Sequence, residues 1–438
     1  MRIQQSTTSG VVQTARPSLR RPIGLTLATV VTLGSVASGA AAQSQEAWIG
    51  TWAASPQPVW GADFPVPLNM PRNLRDQTLR QIAHVSLGGH RVRVVLSNEY
   101  GDRPLVIGAA HVALADEGSA ITDGSDRALT FGGRASVAIP PGAPIVSDPV
   151  TLDVPPLGNL AISLYLPETT PLSTMHWEGV QTAYITASGN HVGDAKINAA
   201  ETMKSRAFLS EIMVDAPADA QAVVTFGDSI TDGADSTPDA NRRWPDDLAE
   251  RLRKSGKGVA VLNEGISGAK VLSDRMGVNG LARFGTDVLD QPRATAVILM
   301  MGINDIGWPG TGLAPHDQEP SAQDITEGYK QLIARAHMHG MRILGATLTP
   351  FGDAFKGKPF EGYYSDAKEE VREAVNSFIR SGAFDGVIDF DAATRDPNDP
   401  KHIRPDFDSG DHLHPNDAGY AAMAGAVDLG MLRGAGRE

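Results

Sequence analysis

The sequence predicts two architectures in series: an all-β sandwich or jelly roll, then an α/β region with a parallel sheet covered on both faces. Three observations predict it. At 438 residues the chain is too long for one ordinary domain. Its first half is broken into short runs that alternate apolar and polar residues, separated by Gly/Pro turns. From about residue 219 apolar strand-like runs alternate with longer helical stretches. Hydrophobic residues make up 41% and charged residues 20%, enough apolar material for sizeable cores.

Residues 1–42 read as a signal peptide rather than as fold. Arg16, Arg20 and Arg21 precede an apolar run from Ile23 to about Val36, and Ala40-Ala41-Ala42 offers a small-residue cleavage site, with Gln43 as the mature start. Gly, Ser and Thr dilute the run too much for a good spanning helix. The expected address is secreted or periplasmic through the general secretory route, and the Arg20-Arg21 pair raises twin-arginine export as an alternative. No stable membrane insertion is expected after cleavage. The chain has no cysteine, which excludes disulfide staples, thiolate metal sites and cysteine nucleophiles. Its net charge is −13, and the leader holds four arginines and no acid, so the remainder carries −17. Nucleic acid and anionic membrane are therefore not expected partners.

In the first region, 46–218, Leu79–Leu87 and His90–Leu96 alternate across Gly88-Gly89 and are expected to form a β-hairpin. Further strands are expected at Val106–Ala115, Ala135–Ile139, Val150–Val154 and Leu160–Leu166. His84, His90, His111, His176 and His191 show no metal-ligand spacing. Trp48, Trp52, Trp60 and Trp177 are either core residues or a sugar-stacking platform.

In the second region, 219–435, strands are expected at Val223–Phe226, Val259–Asn263, Ala294–Met301, Met341–Leu348 and Gly386–Phe390. Helices are expected from Trp244 to about Lys254, at Ala322–Met338 with Gly340 as the stop, at Ser365–Arg380, and at Pro415–Ala426 with Pro415 in the first helical position. A parallel α/β sheet gathers ligands at the carboxyl ends of its strands. The turns expected at that edge are Gly227-Asp228-Ser229, Asn263–Gly268, Gly302-Ile303-Asn304-Asp305 and Asp411-His412-Leu413-His414.

Each turn has its own chemistry. Ser229 is a candidate nucleophile if a base reaches it. His414 can take its proton and later return it to a leaving group, and Asp411 can hold the other ring nitrogen. The Ser229 N–H, the Gly265 N–H (no Cβ blocks approach) and the Asn304 amide are candidate donors to an oxyanion. His412 is a rival base whose side chain is expected to point away, because it adjoins Asp411. Asp232 and Asp305 are rival orienters, expected to hydrogen-bond within their own turns. Phe351–Tyr364, with Phe355, Phe360, Tyr363 and Tyr364, is either a rim over a pocket or a loop packing its own aromatics.

Taken together, Gly227-Asp228-Ser229-Ile230, Gly265, Gly302-Ile303-Asn304-Asp305 and Asp411-His412-Leu413-His414 resemble the SGNH hydrolases, the GDSL family of esterases and lipases. The blocks stand in the family's order over about half the chain, and Ile230 replaces the usual Leu. The resemblance implies a flavodoxin-like three-layer α/β/α fold, with Ser229 as nucleophile, His414 as base, Asp411 as its partner, and Ser229, Gly265 and Asn304 as oxyanion donors. It implies no metal and no cofactor. The expected activity is a serine esterase acting on a short-chain or acetyl ester, on a small molecule or a polysaccharide. The alternatives are a lipase or phospholipase-type acylhydrolase on longer chains, an O-acyltransferase using the same site, and a binding protein with the α/β region as scaffold; the presence of both Ser229 and His414 speaks against the last. The sandwich is similar in placement to the jelly-roll module of two-domain carbohydrate esterases.

Overall fold

Two antiparallel sheets form the framework of residues 48–215. One orders Trp48–Ala53, Leu209–Asp215 and Gly89–Ser97, with Pro144–Val146 and Val150–Val154 both paired to Gly89–Ser97. The other orders Ala199–Met203, Ala183–Thr186, Gln77–His84, Asn159–Leu166, Ala109–Leu114 and Arg127–Ala128. Leu79, Val92, Val94, Leu96, Leu160 and Ile162 from both sheets lie in one apolar core. The computed structural model describes residues 47–432 apart from Asp63, so the expected leader lies outside the described residues.

The expected hairpin across Gly88-Gly89 does not form. Gln77–His84 and Gly89–Ser97 belong to different sheets, and the chain crosses between them at Val85–Gly88. Alternation fixes which residues face a core but not which strand is the neighbour. The glycines serve the crossing: a Cβ on Gly88 would sit 2.3 Å from the Val154 carbonyl, and one on Gly89 2.5 Å from that of Asp215.

The second region holds a five-stranded parallel sheet. In chain order its strands are Gln221–Gly227, Val259–Gly265, Ala294–Met300, Arg342–Ala346 and Gly386–Ile388, and in space they run 2-1-3-4-5, the flavodoxin-like order. The longer helices are Trp244–Lys254, Ala322–Met338, Asp366–Arg380 and Asp417–Ala426. Ser321 caps the second with Asp324 in a capping box, and Gly340 (φ 67°) follows its end. Pro415 stands before the last helix rather than in it: Asn416 is the N-cap, accepting from the Ala418 and Gly419 amides.

The described residues, 47–432, form one compact unit. Val259–Gly265 is an edge strand of the parallel sheet, and the first region covers it. Trp48–Ala53 packs along it, and the Val261 N–H donates to Ser86 Oγ at 3.0 Å. An open sheet edge is thus capped by the neighbouring architecture. Among the described residues no helix is long and apolar enough to cross a membrane.

Candidate active site

The apolar strand Gln221–Gly227 ends where a side chain is forbidden. A Cβ on Gly227 would meet Thr231 Oγ1 at 2.1 Å and the Met300 carbonyl at 2.6 Å. Asp228 then caps a four-residue helix, Ser229–Asp232, by accepting from the Ile230 N–H, and Gly233 closes it at φ 104°. Ser229 opens this helix at the carboxyl edge of the sheet, next to Gly265 at the end of the neighbouring strand.

The turn before the last helix delivers the candidate base, His414. Asp411 Oδ1 accepts from the Leu413 and His414 amides at 2.9 and 2.8 Å, which fixes the turn, while Oδ2 faces His414 Nδ1 at 2.5 Å. His414 Nε2 faces Ser229 Oγ at 2.8 Å. Ser229, His414 and Asp411, named from the sequence, therefore lie in one hydrogen-bonded chain. Burial opposes ionisation of Asp411, but His414 and the two amides outweigh it and hold the carboxyl well below its usual range. Burial likewise disfavours the His414 cation, yet Asp411 and Asp235 raise its pKa above the ordinary imidazole value. His412 points elsewhere, its Nδ1 2.5 Å from Asp408 Oδ2.

Asp235 escaped the sequence reading. Its Oδ2 lies 3.5 Å from His414 Nδ1, and the Ser409 hydroxyl bridges it to Asp411 at 3.2 Å to each. Its only signal in the sequence is an acid in the turn following the serine. Asp235, Asp411 and His414 also bring three ligand atoms within 4.8 Å of one another, the one grouping among the described residues with that geometry.

Gly265 departs from expectation. Its N–H donates to Asn263 Oδ1 at 3.0 Å, so it is not free for a ligand. The glycine serves packing instead, since a Cβ there would meet the Asp232 amide nitrogen at 2.3 Å. Three residues on, Gly268 (φ 77°) has an N–H with no acceptor among the described residues, as does Ser229. Asn304 Nδ2 donates to the Ala269 carbonyl at 3.0 Å, and its Oδ1 accepts from the Tyr363 hydroxyl at 2.9 Å. The Ile266–Ala269 turn, not Gly265, therefore meets Asn304.

Asp232 and Asp305 do not bond within their own turns. Asp305 accepts from the Val271 and Leu272 amides and holds the loop beyond Gly268. Asp232 Oδ2 accepts from the Ser267 amide and hydroxyl, and Oδ1 lies 2.9 Å from His176 Nε2. His176 Nδ1 is 3.0 Å from the Ser55 carbonyl. Both partners are acceptors, so both ring nitrogens carry protons and His176 is a cation, buried and paired with Asp232. Burial works against that charge and Asp232 outweighs it, raising the pKa. Through His176 the first region grips the helix that begins with Ser229.

The aromatic segment does pack its own rings, and it also flanks the base. Phe355, Phe360 and Tyr363 surround Trp308, and Phe355 meets the His414 ring at 6.2 Å. The four tryptophans of the first region do not form one platform. Trp60 and Trp177 pair at 5.2 Å, whereas Trp48 lies under Arg91 and Arg93 and Trp52 under Arg206.

Residues 223–427 match the model of the GDSL-like lipase/acylhydrolase family. Solved structures resemble about half of the chain. A carbohydrate acetylesterase from Sinorhizobium meliloti is 18% identical (TM-score 0.36), over 47% of this chain and 95% of that one. An acetyl xylan esterase is 20% identical (TM-score 0.35), over 47% and 96%. A GDSL-like lipase from Bacteroides thetaiotaomicron is 15% identical (TM-score 0.35), over 48% and 87%. No curated protein matches the chain. Residues 223–427 are thus a GDSL-like lipase/acylhydrolase domain. The protein is a carboxylic ester hydrolase.

Proposed function

We propose that the protein is a secreted serine esterase that removes short acyl groups, acetyl above all, from a small alcohol or a polysaccharide. The observation that carries this reading is the chain Ser229 Oγ–His414 Nε2, 2.8 Å, and His414 Nδ1–Asp411 Oδ2, 2.5 Å. His414 takes the hydroxyl proton as Ser229 attacks the ester carbonyl, and Asp411 stabilises the imidazolium that forms. The oxyanion is met by the Ser229 N–H, the Gly268 N–H and the second amide hydrogen of Asn304, with Gly268 in the role first expected of Gly265. His414 then gives its proton to the departing alcohol. Water, deprotonated by the same ring, releases the acid from the acyl-serine.

Support for a short acyl group comes from Phe355, whose ring lies 6.2 Å from that of His414 and is backed by Trp308 and Tyr363, an apolar wall beside the base. Support for export is the leader pattern of residues 1–42. Residues 46–218 are proposed as an accessory jelly-roll-type module that positions the α/β region. The test is a series of p-nitrophenyl esters from acetate to palmitate, run beside acetylated xylan with Ser229→Ala as control. The reading predicts serine-dependent release confined to the shortest chains. Turnover that peaks at long chains overturns the substrate class, and release unaffected by Ser229→Ala overturns the site.

A further inference from the structure

A cavity of about 30 Å³ lies in the seam between the two regions, behind the helix that starts at Ser229. Arg206, His176, His84, Asp232, Arg243 and Asn263 are among the residues that line it. Arg206 is only 1% exposed. Its Nη2 makes one long bond, 3.4 Å to the Gly179 carbonyl, and its Nη1 has no partner. Among the described residues no carboxylate comes within 4.0 Å of it. Its guanidinium lies 5.7 Å from the centre of the Trp52 ring, which fills space without balancing a full charge. An uncompensated cation away from water is among the most costly arrangements a fold can hold.

The surrounding charges do not resolve it. Asp232 is already paired with the His176 cation, and Arg243 Nε is paired with Asp246 at 2.8 Å. Asp239, the remaining carboxylate that Arg206 feels, is exposed and held by the Thr182 amide and hydroxyl. Counting the two buried pairs as neutral leaves one positive charge facing the cavity. Burial, followed by repulsion from Arg243, pulls the Arg206 pKa down to about 9, the mark of a cation short of counter-charge. A water needs roughly 10–15 Å³ of such space, so this cavity has room for one small ion.

We propose that this cavity is a binding site for a small monovalent anion of the halide class, held by Arg206. The anion supplies the charge the fold omits and bonds to Nη1. It acts structurally, fixing the first region against Asp232 and so against the helix that carries Ser229. It takes no part in ester chemistry, and the site stands whether or not the esterase reading does.

The test uses the whole chain without any activity assay. Thermal unfolding is followed in sodium bromide or chloride against sodium gluconate at equal ionic strength. At tenfold over Kd, mass action predicts a rise in Tm of about 1–2 °C that saturates with halide concentration. Arg206→Leu is expected to melt identically in halide and gluconate. A bromide-soaked crystal is expected to show one anomalous peak beside Arg206 Nη1, a result that does not depend on any variant folding. Equal melting of the wild type in both salts, with water alone in the cavity, overturns the proposal.

Discussion

The two regions use buried polar groups in opposite ways. In the α/β region they stand on turns at one sheet edge and present unused hydrogen-bonding capacity: the Ser229 and Gly268 N–H groups, and one amide hydrogen of Asn304. In the sheet region, Arg206 apart, the buried polar groups that face the α/β region reach across and bond to it. Ser55 Oγ meets Glu264 at 2.6 Å, Gln57 and Trp60 both donate to the Met276 carbonyl at 2.8 Å, and His176 meets Asp232 at 2.9 Å. One region keeps donors for a reacting group and the other removes freedom from the loops that carry them. Catalysis needs both, because a site loosened by about 1 Å can lose about 10²-fold in rate.

The comparison breaks most visibly at Ser229. Ser229→Ala is expected to lower kcat by at least about 10⁴-fold while circular dichroism and melting stay near wild type, because among the described residues the hydroxyl bonds only to His414. A folded variant with more than a hundredth of wild-type turnover would falsify the nucleophile. Next is Asn304→Ala, which removes one proposed oxyanion donor and should cost about 10²–10³ in kcat with little change in KM. An effect confined to KM would make Asn304 a ground-state contact instead.

The sheet region should answer through stability. His176→Ala leaves the Asp232 carboxylate buried against Ser267 without its cation, and breaking such a pair from one side costs about 3–5 kcal/mol. Urea unfolding measures this directly. Activity is expected to follow, since Asp232 ends the helix that begins at Ser229. The double variant His176→Ala/Asp232→Asn should recover part of the loss, because no unpaired charge remains. If it is no more stable than the single variant, the bond is packing rather than an ion pair.

What the sequence made legible divides along the same line. The helix expected at Ala322–Met338 appears with those bounds, because its apolar period and its Gly340 stop agree. Ser229, Asn304, Asp411 and His414 could be named because strand-turn-helix order predicts where such turns gather. Gly265 was misread for a physical reason: a glycine marks close approach without saying what approaches, and here it is the Asp232 backbone and not a ligand. The hairpin failed because alternation does not choose a neighbour. His176 and Arg206 sit in strands of three and two residues, too short to carry a period, so their burial had no signature. Asp235 is a half-exposed turn acid, indistinguishable in sequence from many others.

Asp235 gives the smallest effect and tests how two acids share one imidazole. Asp411 is buried, fixed by two amides and 2.5 Å from Nδ1; Asp235 is half-exposed and 3.5 Å away. Asp411 should therefore set the ring's orientation, and Asp235 should chiefly tune its charge. Asp411 and Asp235 both raise the His414 pKa, whereas attack by Ser229 needs the neutral ring. Removing the Asp235 charge lowers that pKa, so the neutral ring persists to lower pH. For Asp235→Asn the acid limb of kcat/KM should move to lower pH while the plateau rate changes by less than about threefold, since Asp411 keeps the tautomer. Asp228 and Glu178, whose charges His414 also feels, are unaltered by this substitution, so they add no shift of their own. A limb that stays in place would mean that solvent screens the half-exposed carboxylate completely; a limb that moves up would mean that Asp235 withdraws Asp411 through their shared Ser409.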